Sequence, residues 1–111
     1  MIIHMMSKSE WTIVQDEGLY RPDSLESEGF IHCATPEQTV YVANTFFKGQ
    51  SGLVLLVIDP HKVQADLVYE DLIAAGTLFP HIYGPLNLDA VTKVVSFEPN
   101  EQGEFIRPTE I

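Results

Sequence analysis

The apolar positions fall into short strand-like runs separated by two stretches of helical character. Ile2, Ile3 and Met5 predict a first strand. Ser7, with Glu10 three residues on, is a capping-box pattern; the short helix it opens, through Trp11 and Val14, should end near Gly18. Pro22, Asp23 and Ser24 mark turn material. "GFIHCA" predicts a strand in which Phe30, His32 and Ala34 share one face and Ile31 and Cys33 the other. Thr35, Pro36 and Gln38 then provide an N-cap, a first-turn proline and a capping-box partner for a second helix, with Val40, Ala43 and Phe47 on one side.

"GLVLLVIDP" is almost uniformly apolar, so its strand should be covered on both faces. "PHKVQAD" allows about one helical turn, "LVYED" reads as a strand, and "LIAAGTLFP" reads as a loop. Another strand begins at "HIYG". In the last, Val91, Val95 and Phe97 alternate with Thr92, Ser96 and Glu98, and Glu104–Arg107 is a candidate edge strand. Strands clustered late argue for α+β rather than a regularly alternating parallel sheet. The length, 111 residues, is that of a single domain spanning 1–111, large enough to fold around its own core.

Charge narrows the partners. The formal net charge is −10, and the 6 lysines and arginines are scattered. Nucleic acids and anionic membranes are therefore not expected as partners, since both are bound through clustered cations. One cysteine, Cys33, rules out an intramolecular disulfide and fits a cytoplasmic location. The N-terminal residues lack a signal-peptide pattern, and the longest apolar run, Leu53 to Ile58, is too short to span a bilayer.

Generic motifs are absent: there is no glycine-rich phosphate loop, no nucleophile elbow, and no zinc signature. The histidines are the remaining signal. His4, His32 and His81 each sit in an apolar, strand-like context, whereas His61 lies in a turn. They are either structural, each bonded to a backbone carbonyl, or convergent on one cleft. Three imidazoles could also hold zinc, but the spacing matches no zinc pattern, and no metal is expected. Cys33 should face the core as an inert thiol. Tyr83, two residues after His81, would share its face and help wall a flat ring or a ribose. Glu70, inside a strand, could orient a histidine or stabilise a cation.

"IIH" near the start, "EGFIHCA", the T-x-x-Q helix and "FPHIYGPL" together resemble the bacterial family known as domain of unknown function 952, over nearly the whole chain. That family is similar in fold to the ADP-ribosyltransferases, whose split β-sheet holds NAD between its halves. The resemblance implies a small split-sheet α+β domain with two short helices. NAD would be a substrate rather than a resident cofactor, and the chemistry would be glycosyl transfer or N-glycosidic hydrolysis. His4 matches the early strand-borne histidine of those enzymes. Tyr41 or Asn44 would sit near the nicotinamide. His81 stands where those enzymes place a glutamate. On this reading His4 and His81 are candidate catalytic residues, and His32, Tyr41, Glu70, Tyr83 and Arg21 form the ligand-binding set. The missing carboxylate equally suits a binding module without turnover. A third reading makes the histidines structural and "TVYVANTFF" a face for a protein partner.

Overall fold

Leu53–Ile58 is buried along its whole length, as a run with two covered faces must be. In the computed structural model, which describes residues 1–111, it is the middle strand of a three-stranded antiparallel sheet. In chain order the elements are β1 (Ile2–Ser7), α1 (Lys8–Val14), β2 (Leu19–Tyr20), α2 (Ser24–Ser27), β3 (Ile31–His32), α3 (Thr39–Phe46), β4 (Leu53–Ile58), β5 (Asp66–Glu70), β6 (Phe79–Tyr83), β7 (Leu86–Asn87) and β8 (Val91–Phe97). Three sheets result: β1-β4-β8, β3-β6-β5, and the two-stranded ribbon β2-β7. All strand pairs are antiparallel. The architecture is α+β, as the order of patterns predicts.

Both faces of the β1-β4-β8 sheet carry a core. Ile2, Met6, Val54, Leu56 and Ile58 pack on one side with Ile31, Ile82 and Leu86. Ile3, Met5, Leu53, Leu55 and Val57 pack on the other with Ala43, Val95 and Phe97. The backbones of the two larger sheets are hydrogen-bonded to each other at one place. Ile3 N–H donates to the Ala34 carbonyl at 2.7 Å, and Ala34 N–H returns a bond to Ile3 at 2.8 Å. Beyond that pair β1 has no partner on this side.

The expected caps form. The Ser7 hydroxyl accepts from Glu10 N–H, and Thr35 and Gln38 complete a capping box, although its first turn, Pro36–Gln38, is 3₁₀ before α3 begins. Four local expectations fail for identifiable reasons. The strand expected across "GFIHCA" is only two residues long: Cys33 N–H still donates to the Pro80 carbonyl at 3.0 Å, but Pro80 has no N–H to return, and Ala34 turns to β1. The turn stretch around Pro22 hides α2 and the β2-β7 ribbon; a single helical turn and a two-residue ladder are too short to imprint a period. Val91 does not share a face with Val95 and Phe97. The register shifts between Val57 and Ile58, Thr92 becomes the extra residue, and Val91 packs in the opposite core. Glu104–Arg107 is not a strand. Asn44 instead brackets Phe105, its Oδ1 accepting from Phe105 N–H at 2.7 Å and its Nδ2 donating to the Phe105 carbonyl at 3.2 Å, while Phe105 stacks on Phe97.

Gly84 ends β6 at φ +152°, and a Cβ there would lie 2.9 Å from the Ala65 Cβ. Only glycine lets β6 turn so close to that loop. No helix is long and apolar enough to cross a membrane.

Leu56 is fully buried at the centre of β4. Leu56→Ala is expected to lower the unfolding free energy by about 2–5 kcal/mol. Urea unfolding should register this as a lower midpoint with an unchanged slope.

Candidate functional site

A cavity of about 810 Å³ opens where β1 leaves the β3-β6-β5 sheet. Its existence follows from the hydrogen-bond alternation of β1. Ile3 exchanges both its peptide bonds with Ala34, so its pair with Val57 on β4 is a non-bonded one. The same parity makes Met5 opposite Leu55 a non-bonded pair. The Met5 N–H and C=O therefore point into the gap, with no protein partner. A strand edge left open in this way is a ready donor–acceptor pair for a planar amide or a base edge.

His4, His32 and His81 all line this cavity. His4, on β1, is 9% exposed. Its Nδ1 lies 2.6 Å from the His32 carbonyl, which can only accept, so Nδ1 carries the proton and Nε2 the lone pair. His81, on β6, is 5% exposed. Its Nδ1 lies 2.8 Å from Glu70 Oε1, so the same tautomer is imposed by a carboxylate. Neither Nε2 has a protein partner, yet no buried side-chain nitrogen or oxygen is left unbonded. Both atoms are therefore accessible, on rings that line the cavity. His32 differs: it is exposed, and its Nε2 bonds Glu28 Oε2 at 2.8 Å.

Pairing of β3 with β6 sets His32 opposite His81, their ring centroids 5.6 Å apart. Phe30 holds the arrangement, stacking on His81 at 4.1 Å and meeting His32 edge-on at 4.8 Å. Glu70 stands behind His81 rather than in the cavity. Its Oε1 also accepts from the Tyr83 hydroxyl. The Tyr83 and His81 bonds hold the Glu70 carboxyl below the usual carboxylate range, and the same bond raises the Tyr83 hydroxyl. At the other end of the cavity, the Tyr20 hydroxyl donates to Glu10 Oε1 at 2.9 Å, and the Tyr20 ring leans on His4 at 5.6 Å.

The sequence-predicted set thus divides. His4, His32 and His81 come together; Glu70 and Tyr83 buttress His81 from outside the cavity. Tyr41 does not join them. Val42, Phe46 and Phe47 turn to the cavity, and the helical period carries Tyr41 into solvent. Asn44 is committed to the C-terminal tail. Arg21 lies in a separate hollow of about 200 Å³ beside Asp23 and Glu26. Cys33 touches the cavity but is buried, and burial pushes its thiol far up, leaving it inert. No three histidine, cysteine or acidic side chains form a metal-holding group.

Sequence reasoning missed Phe30, Glu28, Tyr20, Glu10 and the Met5 peptide as parts of the site. Glu28 and Phe30 carried a signal, lying four and two residues before His32. The Met5 peptide carried none, because an open edge is a property of the sheet.

Residues 5–94 match a family described as a protein of unknown function, DUF952. The chain belongs to the DUF952 family. The fold is similar to the crystal structure of protein CC0527 from Caulobacter crescentus, with a TM-score of 0.84 at 30% identity over 95% of this chain and 92% of that one. The solution NMR structure of CC0527 gives 0.72 at 28% identity, over 93% and 89%. None of the three solved structures matched is of an ADP-ribosyltransferase. No curated protein matches the chain.

Burial lowers the His4 pKa from its ordinary 6.5, so the native state keeps this ring neutral. Above pH 6.5 folded and unfolded states are both neutral there, and stability is unaffected. Below it the unfolded chain takes up a proton that the native state resists, so stability should fall as pH drops through 6.5. Denaturant midpoints measured from pH 7.5 to 5 should decline less steeply in His4→Gln than in the unsubstituted chain.

Proposed function

We propose that the cavity binds the ring-and-ribose portion of a ribosyl ligand, such as NAD, ADP-ribose or a nucleoside. The observation that carries this reading is the pair of buried imidazoles, His4 and His81, each with Nδ1 fixed and Nε2 free in the same cavity. Two fixed acceptors suit the hydroxyls of a sugar. Phe30, Phe79 and Tyr20 offer faces for a flat ring, and the Met5 peptide complements a carboxamide or a base edge. The test is an NMR titration with NAD, ADP-ribose and nicotinamide, and with the phosphate-free ribosides adenosine and nicotinamide riboside. The reading expects shifts centred on the His4 and His81 rings and the Met5 amide, lost in His81→Ala. Shifts scattered over the surface, or none, overturn it.

A second reading adds turnover and rests on the Glu70–His81 pair. As the glycosidic bond breaks and the base leaves with its electron pair, Nε2 takes the proton of the attacking water and the carboxylate on Nδ1 stabilises the resulting imidazolium; until then the carboxylate directs negative charge through the ring towards the cavity. That replaces part of the field of a catalytic glutamate. An oxocarbenium-like centre beside His81 would be stabilised by Glu70 through the ring. His81 is then the catalytic residue and Glu70 a positioning one. Release of free base during the titration, reduced about 10²–10⁴-fold in His81→Ala, is the expected result. Glu70→Gln should lower kcat and shift its pH profile while leaving KM near its starting value. Binding without release of base would leave a non-catalytic module.

A further inference from the structure

The charges around the cavity are one-sided. Glu10 and Glu28 are the charged side chains of its lining, and none of the 6 lysines and arginines reaches it. Phe46 and Phe47, at the end of α3, add apolar lining and no cation. His4 is held neutral by burial and presents a lone pair, so it adds repulsion to any phosphate oxygen rather than a donor. Each arginine outside the cavity has acidic neighbours of its own: Arg21 beside Asp23 and Glu26, and Arg107 with a carboxylate oxygen of Glu37 at 3.8 Å. The formal charge of −10 extends the same field outward. A phosphate entering here would be stripped of water beside carboxylates, with no lysine or arginine to receive it.

We infer that the cavity selects phosphate-free ribosyl ligands, neutral or cationic, over their phosphorylated counterparts. This rests on the ribosyl reading above and narrows it. The favoured class includes N-ribosyl pyridinium cations and plain nucleosides. In such a cation the positive ring can lie against Phe30 or Tyr20 within reach of Glu28 or Glu10. The open Met5 peptide would meet the polar edge of the ring.

Matched pairs test the inference: nicotinamide riboside against nicotinamide mononucleotide, and adenosine against adenosine monophosphate, by calorimetry and NMR on the full chain. Each phosphate-free member is expected to bind at least about tenfold more tightly, with the difference shrinking as salt is raised. Mononucleotides binding as well or better overturn the selectivity while leaving the ribosyl reading standing. If none of the four binds, the ribosyl reading falls and this inference falls with it. Glu28 has a half-exposed side chain, so Glu28→Lys should fold normally. It is expected to shift the preference towards the mononucleotide by about tenfold. An unchanged preference in that variant would also overturn the electrostatic argument.

Discussion

Two peptide hydrogen bonds between Ile3 and Ala34 join the two larger sheets. Were the ladder to continue, β1 and the segment after β3 would zip into one sheet and no cavity would open between them. It stops after a single pair. Ala34 leads directly into the Thr35 cap, and the capping box turns the chain into a helix. The split, the open Met5 edge and the placing of His4 beside His32 all follow from that one short contact and its abrupt end.

The site built around the split has an uncommon polarity. Two imidazoles are almost wholly buried, and each is held in one tautomer, yet by different acceptors. A neutral carbonyl faces His4, where burial opposes charge; a carboxylate faces His81. His4 is suited to accept a hydrogen bond and stay neutral. His81 instead has its ring and tautomer fixed by a carboxylate. Glu70 makes this possible without entering the cavity, since the diagonal geometry of β5 and β6 sets it beside His81. Phe30 packs against both His32 and His81.

Much of this was legible in the sequence. The buried strand Leu53–Ile58 announced itself by apolar content, and both helix starts by their caps. The convergence of His4, His32 and His81 was suggested by three imidazoles in apolar strand contexts and by motif resemblance. Tyr41 was misplaced because a helical residue's face depends on which neighbour the helix packs against. Val91 was misplaced because a bulge at Thr92 reverses the alternation, and nothing local marks a bulge at a threonine. Glu104–Arg107 read as an edge strand, whereas a side-chain amide from a distant helix, Asn44, already supplies the hydrogen bonds of Phe105. Phe30 and Glu28 were in plain view but lacked a partner until β6 was placed beside β3.

The register of the strands also bears on how quickly this domain can be made. Ile3 pairs with Val57, Val54 with Ser96, and His32 with His81. Almost every ladder spans a large part of the chain, and the helices between them are short. Closing such loops costs entropy before any packing offsets it, so folding is slow by topology. During synthesis β1 must wait for β4, and β3 for β6. The cavity's two buried imidazoles thus meet only late, and until then β1 is an unpaired apolar edge that chaperones or self-association would find first.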